Sequence, residues 1–221
     1  MSVFDILVKY YPAFLGGLWV TLQLSMIIWA SGLLLGGALG IAGWRSPISV
    51  GIPSRITSFI LGGIPLLVFL FWLHYPVQAM FNVVIDPFYT AAFTLGIINI
   101  FGVADIVRGA LDDFPRQYLL AAKVTGLTNK QTIFRIQLPL IMRQITPSLL
   151  MLQVTMLHTT LFASLISVEE IFRVAQRINA QIYRPVEIYT ALGLFFLAVC
   201  LPVNAIALTL RDKFTRNLSE Q

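Results

Sequence analysis

A chain of 221 residues that is 57% hydrophobic and only 11% charged, with a mean hydropathy of +0.82, does not fit the soluble globular class, in which about a quarter of residues are charged. It reads as an all-α polytopic membrane protein, and its length accommodates about five spans at ~20 residues each plus loops. The net charge of +5 invites a nucleic-acid reading, but the Lys and Arg residues collect beside apolar runs, which is the positive-inside pattern and not a binding groove. The one cysteine, Cys200, lies inside an apolar run and offers neither a disulfide framework nor a metal cluster.

The N-terminus, Met1-Ser2-Val3-Phe4-Asp5, has no basic region ahead of an apolar core, so the first span itself is expected to direct insertion. That span is predicted from about Phe14 to Trp44, with Gly32, Gly36 and Gly40 at the four-residue spacing that lets helices pack backbone to backbone in lipid. Arg45 and Arg55 follow, with Pro47 and Pro53 as loop punctuation. Span two is predicted from about Ile56 to Tyr75, interrupted by Gly62, Gly63 and Pro65; such breaks line a cavity or are simple kinks against a neighbour. A loop from Pro76 to Pro87 has no Lys or Arg. Span three runs from about Phe88 to Ala110, a polar platform from about 111 to 146, and span four from Pro147, read as a first-turn proline, to Val168. A polar loop from Glu169 to Pro185 precedes span five, about Val186 to Leu210. With no repeat or linker, residues 1–221 read as a single membrane domain.

Orientation follows from the basic residues. Threading five spans puts Arg45, Arg55, Arg108, Arg116, Lys123, Lys130, Arg135, Arg143, Arg211, Lys213 and Arg216 on one side, eleven in all, against four on the other: Lys9, Arg173, Arg177 and Arg184. The N-terminus is therefore expected outside, with the platform and C-terminus in the cytoplasm. Glu169, Glu170 and Glu187 are candidate partners for the three outer arginines.

The platform is the most informative stretch. Leu120-Ala121-Ala122-Lys123-Val124-Thr125-Gly126 reads as a helix whose small residues admit another surface and whose end takes positive φ at Gly126. Thr128 and Gln131 have capping-box spacing for a second helix, and Pro139 is expected to break that helix or its exit. A two-helix platform facing the cytosol points to a soluble partner. The chain has no Gly-x-x-x-x-Gly-Lys-[Ser/Thr] phosphate loop, no His-Glu-x-x-His and no Gly-x-Ser-x-Gly. No paired acids sit at mid-span, as a proton-coupled carrier needs. The residues thus speak against an enzyme and leave room for a secondary carrier subunit or a membrane scaffold beside an energy-coupled permease.

The platform resembles the coupling motif of permease subunits in binding-protein-dependent ATP-binding-cassette importers: Glu-Ala-Ala, three residues, Gly, nine residues, Ile-x-Leu-Pro. Ala121, Ala122, Gly126, Ile136, Leu138 and Pro139 fall in register, and Leu120 stands where the family has Glu. Further likeness narrows to the polar amino-acid branch: Thr21-Leu22-Gln23-Leu24-Ser25, Gly63-Ile64-Pro65-Leu66-Leu67-Val68, Arg108-Gly109-Ala110, and the run from Val168 through Glu170 to Tyr183-Arg184-Pro185. The resemblance implies a type I importer permease fold in the bacterial inner membrane, importing an amino acid or similar small polar solute. It implies a second permease subunit, an external solute-binding protein, and two cytosolic ATPases that hold the ATP and Mg, with no cofactor on this chain. Leu120, Ala121, Ala122, Gly126, Ile136, Leu138 and Pro139 would couple to the ATPase. Where the family commonly reads Lys-Asp-Thr-Ser-Leu, this chain has His158-Thr159-Thr160-Leu161-Phe162, and the polar groups expected along the solute path are Asn99, Asp105, His158, Thr159, Thr160 and Glu170.

Overall fold

The computed structural model describes residues 3–219, with side chains to residue 213, as eight helices and no strand among the described residues. They are α1 (Val3–Arg45), α2 (Pro47–Gly63), α3 (Leu66–Met80), α4 (Pro87–Asp112), α5 (Arg116–Val124), α6 (Asn129–Ile166), α7 (Ile171–Ile182) and α8 (Pro185–Ser219). Four of these, α1, α4, α6 and α8, are long and apolar enough to cross a membrane, and α2 with α3 makes a fifth span if the bent pair is counted as one.

The centre of the fold is α4, which packs on α1 and α6. Its contact with α1 is set by glycine. A Cβ on Gly36 would lie 2.5 Å from the Ile100 carbonyl oxygen, one on Gly40 would lie 2.8 Å from that of Ala104, and one on Gly32 would overlap the Asn99 amide. Lipid gives two apolar helices no hydrophobic reason to associate, so close backbone approach and its dispersion contacts must hold them. Around this seam Leu24, Ile28, Leu70, Ala91 and Leu95 form a core near the start of α4, while Val103, Val107, Phe114, Ile141 and Ile145 form another near its end.

Several elements differ from the sequence-based expectation, each for a visible reason. α1 starts at Val3, because Ile6 is buried against α7 and α8. The expected loop between Arg45 and Arg55 is helical except at Ser46 (φ −125°, ψ 75°); Pro47 sits in the first turn of α2, and Pro53 follows at the start of the α-helical stretch Ile52–Gly63. Proline lacks an N–H, and the first turn does not use one. Span two is bent by 98° at Ile64-Pro65, so it is two helices. Pro139 does not break the second platform helix, which runs unbroken into span four. A π turn at Ile133–Gln137 precedes Pro139 and shifts the hydrogen-bond register there. Pro147 is accordingly interior to α6 and not at its start. The expected polar loop after Glu169 is the amphipathic helix α7, with Ile171, Val174, Ala175 and Ile178 on its buried face.

Replacing Gly36 by Ala should lower the unfolding midpoint of the detergent-solubilised protein by an amount matching about 1–3 kcal/mol of overpacking. Gly37→Ala, where a Cβ meets nothing within 4 Å, should leave it unchanged. Equal midpoints for the two variants would refute the glycine seam.

Candidate functional site

The platform is built as two short helical pieces across a left-handed turn. Gly126 has φ +75°, and Leu127 N donates to the Ala122 carbonyl at 3.0 Å, closing α5. Thr128 then caps α6: Gln131 N donates to Thr128 Oγ1 at 3.3 Å and Thr128 N to Gln131 Oε1 at 2.9 Å. The inner face of α5 packs down through Tyr118 and Leu119 onto Phe114 and Ile136. The two alanines of the motif part company here. Ala122 is 1% exposed and sits inside the platform itself, whereas Ala121 faces out beside Leu120 (62% exposed) and Val124 (89% exposed). Phe134, Ile133 and Leu138 continue the exposed apolar face on α6, with Ile136 and Pro139 half-buried beneath. Val124 and Phe134 were not singled out from sequence. Their signal, an apolar residue at a helix position four beyond Leu120 and another in the cytosolic start of α6, becomes readable only when the facing side of each helix is known.

The polar groups expected along a solute path are not brought to one place. Asn99 is fully buried and occupied: its Nδ2 donates to the Ile28 carbonyl at 2.8 Å and to Gln153 Oε1 at 3.0 Å, and Gln153 Nε2 donates back at 3.3 Å. Trp29 Nε1 donates to the Gln153 carbonyl at 3.1 Å. These bonds join α1, α4 and α6 just before the π turn Gly32–Gly36. Gln153, a lone amide in an apolar run, was a legible signal that sequence reading passed over.

Asp105 belongs to a second cluster. Its carboxylate accepts from the Ser58 hydroxyl and the Arg108 guanidinium, and Arg55 Nη2 reaches Asp112 Oδ2 at 2.8 Å. These groups tie α2 to α4 around a cavity of about 400 Å³ lined by Arg55, Ser58, Phe59, Asp105, Arg108, Gly109 and Asp112. His158 is exposed on α6, with Nε2 3.1 Å from Cys200 Sγ and its ring edge-on to Phe196. The Thr159 and Thr160 hydroxyls donate back into the helix, to the Met156 and Leu157 carbonyls at 2.8 Å.

Glu170 does a different job from pairing an outer arginine. It is 0% exposed and caps α7, accepting from Phe172 N at 2.9 Å and Arg173 N at 2.7 Å. Beside it Ile171 N donates to Thr21 Oγ1 at 3.1 Å, and Gly17 lies so close that a Cβ would be 2.8 Å from Val174 Cγ2. The other two expected pairs form: Arg177 with Glu169 at 2.7 Å, and Arg184 with Glu187 at 3.3 Å. Burial pushes the Glu170 carboxyl up to about 7, against the two backbone N–H groups, which pull it down.

A carboxyl raised from 4.5 to about 7 on folding binds more protons in the folded state between those values. Stability should therefore fall as pH rises through that window and level off above it. Glu170→Gln keeps an oxygen acceptor at the cap and should remove the slope. Unfolding midpoints of the solubilised protein across that range test it, and an unchanged slope in Glu170→Gln would assign the titration elsewhere.

Residues 32–216 match the family described as "Binding-protein-dependent transport system inner membrane component". The chain is 26% identical over 214 residues to the L-cystine transport system permease protein TcyB of Bacillus subtilis, covering 96% of this chain and 91% of that one. It is 28% identical over 196 residues to the glutamine transport system permease protein GlnP of Escherichia coli, covering 88% and 90%. It is 27% identical over 218 residues to the histidine/lysine/arginine/ornithine transport system permease protein HisQ of Salmonella typhimurium, covering 91% and 92%. Among solved structures it superposes on an amino acid ABC transporter crystallised with histidines at a TM-score of 0.82 and 24% identity, over 95% of this chain and 98% of that one. On the inward-facing MetNI methionine ABC transporter the TM-score is 0.67 and the identity 15%, over 93% and 98%. With a family match over most of its length, and helices able to cross a bilayer, this chain belongs to the inner membrane components of binding-protein-dependent transport systems.

Proposed function

We propose that the chain is the permease subunit of an ATP-driven importer for an amino acid or similar small polar solute. The observation that carries the reading is the exposed apolar face of Leu120, Ala121, Val124 and Phe134 on a platform held by a positive-φ glycine and a complete capping box. Relatives bearing the names of cystine, glutamine and histidine-group permeases support the solute class. Family membership displaces the secondary-carrier and scaffold readings.

In this reading residues 1–221 act as one membrane domain. Two permease subunits, alike or homologous, form the pathway. Two separate ATPases bind ATP and Mg and hydrolyse it, and an external binding protein delivers solute. The N-terminus lies outside and the platform inside. Closure of the ATPases pushes the platform, and because α6 is continuous from Asn129 to Ile166, the push reaches the outer end of the span as a rigid-body tilt. Asp105, beside the open cavity, and exposed His158 with Thr159 are the groups we place on the solute path. Asn99 ties the helices, Thr160 is bonded within its own helix, and Glu170 holds α7.

Because Leu120 replaces an acid, docking rests on apolar contact and shape. Ala121→Trp and Val124→Asp should each reduce co-purification of the ATPase by about tenfold or more, which is ~1.4 kcal/mol. Leu120→Glu should preserve assembly, since an exposed ion pair is worth about 0–1 kcal/mol. Ala122→Trp should instead lower the yield of folded permease, its site being internal. Wild-type ATPase binding in both Ala121→Trp and Val124→Asp would sink the docking face.

Reporter fusions at the two ends check the orientation separately. Signal from an external reporter at Met1 and a cytoplasmic one at Gln221 is expected, and a cytoplasmic Met1 would overturn the five-span threading.

A further inference from the structure

We propose that α3 and the loop Phe81–Asp86 form a lipid-interface anchor: they lie at the boundary of headgroups and acyl chains, in the leaflet where α1 begins. Three independent observations carry this.

The first is direction. α3 turns 98° away from α2. One side of it packs into the core through Leu66, Leu70 and Phe71, while Val68, Trp72 and Tyr75 form an exposed stripe on the other. Trp and Tyr on such a stripe suit the level of the headgroups. Met80, Phe81 and Val84, the last 99% exposed, extend it past the helix end.

The second is charge. Between Arg55 and Asp105 the sequence contains a single Asp, Glu, Lys or Arg, namely Asp86, and its carboxylate caps α4 by accepting from Phe88 N at 2.8 Å. The same end of the molecule carries its charged groups on and beside α7, where Arg177 pairs with Glu169 and Arg184 with Glu187. A soluble protein docks on a patch with a polar rim. The α7 region offers that, whereas the loop beyond α3 exposes only Asn82 and Asp86 among its polar side chains, the latter as the α4 cap.

The third is how the loop's backbone is satisfied. An irregular segment can enter an apolar medium only if its own N–H groups have partners. Here four of the six N–H groups in the loop have them: Phe81 N donates to the Val77 carbonyl and Asn82 N to that of Ala79, both at 3.2 Å, Val83 N to that of Gln78 at 3.0 Å and Ile85 N to Gln78 Oε1 at 2.8 Å, while buried Gln78 donates through Nε2 to Thr90 Oγ1 at 3.0 Å. Asn82 takes φ +50° to close the turn, a conformation asparagine tolerates. A water-exposed loop needs no such staple. Gln78 thus helps a loop whose one charge, Asp86, is spent on capping α4 to rest at the lipid boundary with Val84 at its tip, and α3 with it becomes a fixed point against which the spans can tilt. The inference stands whichever solute is carried.

The test uses the assembled transporter in lipid nanodiscs with a spin label at Val84→Cys in a Cys200→Ala background, and Lys213→Cys, exposed near the end of α8, as the aqueous reference. Collision with dissolved oxygen should exceed collision with a water-soluble nickel chelate at Val84, and the reverse should hold at Lys213. Dominant nickel-chelate collision at Val84 would place the loop in water. Low collision with both reagents would show a protein cover, either the binding protein or a second permease subunit. Either result overturns the proposal. In Gln78→Leu, nickel-chelate collision at Val84 should rise severalfold as the freed N–H groups seek water. An unchanged value there would remove the role given to Gln78.

Discussion

Everything else in this molecule is arranged around the close approach of α1 to α4. In water two apolar helices are driven together by the solvent, but in lipid they are not, so the contact must be good enough to displace lipid. Gly36 and Gly40 bring the α1 backbone onto the carbonyls of Ile100 and Ala104. At Gly32 the gap is filled by the Asn99 amide, which also takes the Ile28 carbonyl and exchanges two bonds with Gln153. A buried amide pair with its partners in place is specific in a way apolar contact is not: a sliding register would leave several groups unpaired. Three helices therefore meet in one arrangement, tied by the Asn99 amide.

From that seam the two functional ends inherit their geometry. At one end α4 and α6 hold the platform through Phe114, Ile141 and Ile145, and α5 can present an apolar face outward because its inner face is already occupied. At the other end α7 is seated by Glu170 and by Thr21 on α1, with left-handed residues, Ser167 and Tyr183, at its two junctions. The continuity of α6 links the ends without an intervening hinge of its own, apart from the π turn beside Pro139.

The departures from the family pattern have a physical consequence. Leu120 in place of an acid leaves the exposed face of α5 apolar, and Arg116, Lys123, Lys130 and Arg135 are exposed on the same platform. His158 is exposed on α6 and contacts Cys200 on α8.

Much of this was legible in the residues. Composition made a membrane protein unavoidable, since so few charges cannot cover a water-facing surface. The glycine spacing foretold a close helix contact on α1, though not that α4 makes it, and Gly126, Thr128 and Gln131 foretold a turn and a cap that depend only on local backbone chemistry. The tertiary structure decided what local chemistry leaves open. Prolines at 47 and 139 read as breaks, yet a helix start and a π turn absorb them, because a missing N–H matters only where a bond is due, while Pro147, read as a helix start, lies inside α6. The run after Glu169 looked like a loop because its apolar residues are few, but they fall on one face, and only the presence of Gly17, Thr21 and Ile6 on α1 gives that face something to bury against. Which of two adjacent alanines is exposed, and which helices Asn99 ties together, are questions of direction. A sequence states residue order, whereas direction is set by the packing of helices that are distant along the chain.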